Sequence, residues 1–396
     1  MAADERLVSD SASLAAICRR FASESFISVD TEFMREKTYW SKLCLVQLAG
    51  SESECAIDPL ADGIDFAPLY DLLSNAAVLK VFHAARQDLE IFYNRMGRLP
   101  APIFDTQIAA MVCGFGDQVA YDRLVAKLTG KQIDKANRFT DWSQRPLRDR
   151  QIEYAISDVT HLRTVYERLS EILAANGREP WLAEEISELI DPGIYEADPR
   201  ESYRRIGKIG RASPRFLAIL RELAAWRETE AQRLDIPRIR VLRDEALMEI
   251  AHHPPSTDAD LARIRLVRGT IRGRTADAVL AAVRRGLSVP ASDRPQADGR
   301  ETRGAARGPL VDLLKILLKA KCDECGVAQK LVASSADIEA IAADGENAAV
   351  RALHGWRRDV YGRDALKLLG GEMALAAKGN RLTVVSIAPA PAPKRR

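Results

Sequence analysis

Two carboxylates set into an apolar, β-prone run constrain this chain more than any other feature. Residues 25–36 read SFISVDTEFMRE, and Phe26, Ile27, Val29 and Phe33 favour an extended strand. Asp30 and Glu32 interrupt that run, so their presence answers to something other than the strand itself. Side chains alternate along a strand with period two, so both carboxylates leave the same face, about 6 to 7 Å apart along the chain. That spacing suits a pair of divalent cations. The D-x-E pattern alone is not selective, because Asp88/Glu90, Asp337/Glu339 and Asp344/Glu346 repeat it. Partners for Asp30 and Glu32 have to come from further along.

The chain has 396 residues, which points to two or three domains rather than one core. Its 47% hydrophobic and 29% charged residues describe a globular protein and exclude a disordered or fibrous one. No apolar run reaches the roughly 18 residues of a membrane span. The start, MAADERLVSD, is acidic where a secretory signal is basic and then apolar. The expectation is a cytoplasmic protein that uses no membrane. Cysteines 18, 44, 55, 113, 322 and 325 are scattered, which argues against a disulfide framework. Cys322 and Cys325 form a C-x-x-C without a second metal-binding pair, so a packing role is favoured over zinc or redox chemistry.

Along the chain, residues 7–23 read as a helix, followed by the acidic strand. Residues 43–48 (LCLVQL) and 55–58 (CAID) are two more strands, and the three in succession suggest an antiparallel meander opening an α/β domain. A helix over 66–75 and a strand over 78–82 follow. Next comes HAARQDLEIFYNRMG, where Leu89, Phe92 and Tyr93 share one helical face and Asp88 borders it. Asp88 therefore sits early in a helix that follows a strand, where α/β folds place functional groups, although a solvated helix aspartate reads the same way. Asp105 opens another helix and is favoured as its N-cap over a catalytic role. In the helix over 149–173, Tyr154 and Asp158 are four apart and lie on one face; none of the other eight tyrosines has an aspartate at that spacing.

Beyond Asp191-Pro192-Gly193 the patterning turns wholly helical, with amphipathic segments over 213–234, 243–252, 258–266 and 275–286. The net charge of the whole chain is only +2, but residues 211–290 carry 15 Arg, no Lys and 10 acids, a candidate phosphate-binding surface or simply solvated helix faces. Residues 291–308 are rich in Pro, Gly, Asp and Arg and read as a linker. Leu310, Leu313, Leu314 and Leu317 then match a helical core stripe that opens a second helical module, running to about residue 369. The tail, 388–396, has no reason to fold. Walker and G-x-S-x-G motifs are both absent, which excludes the usual ATPase and serine-hydrolase chemistries.

With VDTEF at 29–33, FHAARQDLEIF at 82–92, and DWSQRPL followed by QIEYAISDV over 141–159, the sequence resembles the ribonuclease D family. That family belongs to the DEDD 3′-to-5′ exonucleases, and the Y-x-x-x-D of Tyr154 and Asp158 is the mark of its tyrosine subclass. Ile236-Pro237 with Asp244, Leu247, Ile250-Ala251 and Pro254 resembles the HRDC nucleic-acid-binding domain; GWRRDVYG at 355–362 resembles the family's second helical module. The resemblance implies a ribonuclease H-like α/β exonuclease domain, a mixed sheet flanked by helices, over 1–205. Two all-α HRDC-type modules follow over 211–290 and 309–387, joined by the linker 291–308 and ending in the tail 388–396.

It further implies that Asp30, Glu32, Asp88 and Asp158 converge on one site with Tyr154. Four carboxylates there would repel without cations, and oxygen-only ligands favour two Mg²⁺ or Mn²⁺ ions. Tyr154, a poor proton acceptor at neutral pH, would aim the attacking water. Thr31, Phe33 and His83 are candidates for holding the substrate, with a cap or core role equally open for His83. The activity so implied is removal of 5′-nucleoside monophosphates from the single-stranded 3′ end of precursor tRNA or other small structured RNAs, with no obligatory protein partner. A DNA exonuclease with the same site, or a non-catalytic nucleic-acid-binding protein, are the alternatives; the intact set of acids and tyrosine weighs against the latter.

Overall fold

A computed structural model describes residues 6–133, 140–207, 209, 212–267, 271–296, 308–379 and 381–387; most of the linker and all of the tail lie outside the described residues. Strands β1 (Leu7–Val8), β2 (Phe26–Met34), β3 (Lys42–Ala49), β4 (Glu54–Ile57), β5 (Leu79–Phe82) and β6 (Ile103–Asp105) form one six-stranded sheet in the order β1-β4-β3-β2-β5-β6. The meander is real: β2, β3 and β4 pair antiparallel in turn. On the other side of β2 the pairing becomes parallel, β2 to β5 and β5 to β6.

Leu7 and Val8 depart from the helical reading. They form an edge strand parallel to Ala56 and Ile57, and helix α1 (Ser11–Phe21) begins after Asp10, whose carboxylate accepts from the Ser13 amide. The cap interrupts an otherwise continuous pattern.

β2 is long because β3 supports it over most of its length, from Ser28↔Ala49 to Met34↔Lys42, with a bulge between Glu32 and Phe33. β5 pairs only with its first part, Phe26 to Ser28. Past that point β2 overruns its parallel neighbour, and helix α2 (Ala67–Ser74) and helix α3 (Arg86–Met96) cover the face behind it. Helix α4 (Thr106–Val112), helix α5 (Tyr121–Thr129) and the 28-residue helix α6 (Asp149–Asn176) cover the opposite face. With both faces covered, every residue of β3 after Lys42 is buried.

Helix α7 (Glu179–Leu189) leads to a helical module of α8 (Pro214–Leu234), α9 (Arg238–Val241), α10 (Asp244–His252), α11 (Asp258–Arg263) and α12 (Arg274–Ser288), with a core of its own. Ser213 caps α8 through the Phe216 amide. Part of the arginine excess serves this interior rather than a phosphate surface. Arg227 is buried and donates to the Leu242 carbonyl and Asp244, and Arg238 pairs with the fully buried Glu228. The module is tied to the sheet through the loop after β2: the Tyr39 and Trp40 amides both donate to Asp235 at 3.0 Å, and the Tyr39 hydroxyl donates to Glu228.

The C-terminal module opens with α13 (Pro309–Cys325). Leu314 and Leu317 are buried as the stripe suggested, but Leu310 and Leu313 face solvent, and Val311 and Leu318 take the core positions instead. The helical pattern ends at Leu369, and the chain closes with an antiparallel strand pair, β7 (Met373–Lys378) and β8 (Arg381–Ser386), which the helical reading did not include. Docking against α7 is aromatic and ionic: Trp181 stacks on Trp356 with centroids 4.2 Å apart, and the buried Arg357 pairs with Glu184 and Glu185. Cys322 is buried, with its thiol pushed up to about 12 by burial, and every cysteine is free. Among the described residues no helix is long and apolar enough to cross a membrane.

Lys80 is a charged group with no exposed surface at the start of β5. Its ammonium donates to the carbonyls of Asn75, Val78 and Ala101 at 2.9, 2.7 and 2.5 Å, stitching the entry to β5 onto the turn before β6. Burial lowers its pKa to about 8 from 10.5. The folded chain therefore gives up this proton before the unfolded chain does, and the cost of burying the charge shrinks as pH rises between those values. Urea unfolding of wild type and Lys80→Met is expected to show a stability difference that moves in favour of wild type from pH 8 to pH 10; a difference independent of pH would contradict this assignment.

Candidate active site

The alternation of β2 decides which acids meet. Asp30 and Glu32 point to the face covered by α6, and one carboxylate oxygen from each of Asp30, Glu32 and Asp158 lies within 4.8 Å of the others. Ser28, on the same face, donates to the Val159 carbonyl at 2.7 Å and pins α6 to the strand beside the cluster. One turn before Asp158, Tyr154 reaches the same space. Asp88 comes from the other face. It lies in the first turn of α3, and the Thr31 hydroxyl, directed away from Asp30 by the strand period, donates to its carboxylate. Asp88 and Asp30 come within electrostatic reach where β2 outruns β5, since the Asp30 charge helps to raise the Asp88 pKa.

Asp30, Glu32, Tyr154 and Asp158 border a cleft of about 660 Å³ whose walls also include His83, Gln107, Gln118, Tyr121, Ile133 and Leu162, while Asp88 stands behind Thr31 and is not among the lining residues. Among the described residues no lysine or arginine lines it. Burial raises Asp30 to about 7 and raises Asp88 well above the carboxylate range, with the Asp30 charge adding to the latter. Tyr154 is pushed up from 10.0 by burial first and then by the charges of Asp158, Glu32 and Asp30, so its phenol stays protonated at neutral pH. The donor set is all oxygen and crowded, which fits a hard divalent cation and no soft one.

The three substrate candidates divide. His83 lines the cleft, with Nδ1 3.0 Å from the Thr106 hydroxyl and its ring 5.1 Å from that of Tyr121. Thr31 borders the cleft, but its hydroxyl is directed to Asp88. Phe33 packs against the core behind β2 and is not among the lining side chains. The period that puts Asp30 and Glu32 on one face puts Thr31 and Phe33 on the other, so this division was readable from the strand itself. Asp105 is the N-cap it was taken for: it accepts from the Gln107 and Ile108 amides at 2.7 and 3.2 Å. It also accepts from Ala84 and Ala85, holding the left-handed turn at Ala84 (φ 59°) that swings the chain from β5 into α3.

Sequence reasoning assigned nothing to Arg145, although it stands in the quoted DWSQRPL segment. Its guanidinium forms a bidentate pair with Asp58 at 2.6 and 2.7 Å and donates to the carbonyls of Cys44, Trp142 and Gln144. The clamp fixes the segment entering α6 to β3 and the end of β4. It also seats the buried Trp142 beside Tyr154, ring centroids 6.2 Å apart. Tyr121 was missed as well; its hydroxyl donates to the Asp158 carbonyl from across the cleft. Neither pairing follows a local periodicity, since Arg145 and Asp58 are 87 positions apart.

Residues 6–174 match the 3′-5′ exonuclease family and residues 216–283 match the HRDC domain. Ribonuclease D of Jannaschia sp. (strain CCS1) is 50% identical over 382 residues, covering 94% of this chain and 97% of its own. Ribonuclease D of Granulibacter bethesdensis is 49% identical over 382 residues, covering 96% of each. Among solved structures, Escherichia coli RNase D, described as an exoribonuclease involved in structured RNA processing, is similar at a TM-score of 0.77 and 29% identity, over 92% of this chain and 98% of its own. The catalytic core of RRP6 from Trypanosoma brucei shares the fold at a TM-score of 0.53 and 22% identity, over 71% and 79%.

A mixed sheet whose central strand presents two acids to a Tyr-x-x-x-Asp helix, followed by an HRDC domain, defines a 3′-5′ exonuclease of the DEDD superfamily. Near-full-length identity to curated relatives then narrows the class. The chain belongs to the ribonuclease D family, and it is a 3′-5′ exoribonuclease that binds nucleic acid.

If Arg145 acts by seating Tyr154, losing its fork costs turnover as well as stability. Asp58→Ala strands a half-buried guanidinium and should lower unfolding free energy by about 2 to 4 kcal/mol. Arg145→Lys, which keeps the charge but not the bidentate geometry, should lower kcat more than it changes KM. Urea titration and steady-state kinetics on a single-stranded RNA check both; Arg145→Lys kinetics equal to wild type would remove Arg145 from the positioning of Tyr154.

Proposed function

We propose that this chain trims the 3′ ends of small structured RNAs such as precursor tRNA, with Asp30, Glu32, Asp88 and Asp158 holding two divalent ions, Mg²⁺ or Mn²⁺. The observation that carries the metal reading is the oxygen cluster of Asp30, Glu32 and Asp158, gathered within 4.8 Å. Asp30 supports it from another side: burial leaves this carboxyl reluctant to ionise at neutral pH, and a cation beside it reverses that preference. Asp30 belongs to the three-acid cluster and its charge also acts on Asp88, so it is the residue proposed to serve both ions. Bound there, the ions would supply an acidified water and neutralise charge on the departing oxygen.

The chain's own groups do the positioning. Tyr154, protonated and fixed beside Asp158, donates a hydrogen bond that orients the attacking water. Water adds to the last phosphorus, the bond from that phosphorus to the preceding 3′ oxygen breaks, and the products are a 5′-nucleoside monophosphate and an RNA one residue shorter. His83 and Tyr121, in ring contact on the cleft wall, offer the last base a face to lie against, with the Gln107 and Gln118 amides for polar edges. Burial lowers the His83 pKa, so the ring is neutral there. The preference for structured RNA is supported by what is said of the Escherichia coli neighbour, and the HRDC domain supplies a nucleic-acid-binding surface beside the nuclease.

Incubating the purified protein with a 3′-extended tRNA transcript should give a ladder shortened one nucleotide at a time, abolished by EDTA. A DNA strand of the same sequence tests sugar preference, and faster digestion of DNA would overturn the RNA reading. Asp30→Ala and Asp158→Ala are expected to lose both turnover and Mg²⁺ binding by calorimetry. Tyr154→Phe should lower kcat by about 10²-fold with Mg²⁺ affinity retained; equal loss of Mg²⁺ binding in that variant would contradict the division of roles.

A further inference from the structure

The C-terminal module reaches the rim of the catalytic cleft through one short loop. Residues 114–120 run from the end of α4 to the start of α5, and the loop's last residues, Gln118 and Ala120, line the cleft. The other side of that loop is gripped by the segment after α13. The Ala328 amide donates to the Met111 carbonyl at 2.9 Å, and the Lys330 amide donates to Asp117 at 3.1 Å. Arg178 donates to the carbonyls of Val112, Cys325 and Gly326 together. The two backbones touch at Gly114, where φ is +80° and a Cβ would come within 2.6 Å of the Gly326 carbonyl oxygen. These contacts set the place of the Lys330 side chain, whose ammonium donates to the Gln118 amide oxygen at 3.0 Å.

We infer that Lys330 is a phosphate contact at the mouth of the cleft, engaging the RNA backbone upstream of the scissile bond. An ammonium carries three donors, and the bond to Gln118 uses one of them. The described lining of the cleft is acidic or neutral, so an entering polyanion meets no lysine or arginine among the described lining residues. Lys330 stands one side chain behind that lining, and Lys127 brings a second ammonium to the same loop, 5.8 Å from the Phe115 ring centroid. Held by Gln118 at the rim rather than in the floor, Lys330 attracts phosphate without competing for the carboxylates that serve the reaction. The C-terminal module is thereby a part of the substrate path, seated beside the nuclease by backbone contacts, and this inference rests on the reading that a single-stranded 3′ end enters the cleft.

The test compares a dinucleotide, whose one phosphate is the scissile one, with a single-stranded RNA of about 12 nucleotides, using the full chain with Mg²⁺. Lys330→Ala should reduce the ratio of kcat/KM for the long substrate over the short one by about fivefold, and should flatten the dependence of log kcat/KM on log salt for the long RNA by about one unit. Lys330→Arg, which keeps the charge, should restore most of both. A ratio equal to wild type in Lys330→Ala, or an equal loss on both substrates that Lys330→Arg does not repair, overturns the inference and leaves the exonuclease reading standing. Wild-type protein that fails to shorten the long RNA overturns both.

Discussion

Carboxylates gathered at a half-buried site, as Asp30, Glu32 and Asp158 are here, have to be held by the scaffold against their own repulsion. Everything around this site answers to that constraint. Asp30 and Asp88 are raised by burial, and Asp88 further by Asp30, so ionising both carboxyls here is electrostatically costly. The stabilisation that offsets the cost comes from neighbouring contacts: Ser28 on the Val159 carbonyl, Tyr121 on the Asp158 carbonyl, Thr31 on Asp88, and the Arg145 fork on Asp58. Ser28 and Thr31 tie the acid-bearing β2 to α6 and α3, while Tyr121 and Arg145 fix α6 and its approach to α5 and the end of β4.

The topology supplies the place. An antiparallel partner supports β2 to its end while the parallel partner stops early, so the strand projects past β5 with one edge open. The chain leaving β5 turns sharply at Ala84, held by Asp105, and delivers Asp88 to that edge from the face opposite α6. Acids from both faces of a sheet can meet only where the sheet has stopped on one side. This is a variant of the general rule that sites form at the carboxyl ends of parallel strands.

The helical modules keep cores of their own and are joined to the nuclease by polar and aromatic contacts, with Leu331 of the C-terminal module packing against the core under α4–α6. Tyr39 and Trp40, just beyond β2, are held by Asp235 and Glu228 of the HRDC domain. Arg178, Trp181 and Glu184 face the C-terminal module. Both attachments lie within a few residues of cleft-forming segments, the first after Glu32 and the second against the loop that carries Gln118. The modules thus sit beside the cleft rather than remote from it. The arginine-rich composition that suggested a phosphate surface is partly spent inside the HRDC core on Glu228 and Asp244, because a buried carboxylate on α8 needs a cation and α9 supplies it.

Local patterning determined a good deal by itself. The strand period put Asp30 and Glu32 on one face, the helical period put Tyr154 and Asp158 on another, and the side-chain chemistry of Asp105 announced a cap that the fold contains. The same strand period also told Thr31 and Phe33 apart from the acids, a signal present in the residues and outweighed by their nearness to them. Tertiary structure alone decided that α6 lies across β2, that Asp88 arrives from the far face, that Arg145 finds Asp58, and that Leu310 and Leu313 face water while Val311 and Leu318 take the core. The reason is physical: a period specifies directions relative to one element's own axis, whereas the meeting of two elements depends on how their buried faces pack, and no single segment carries that information.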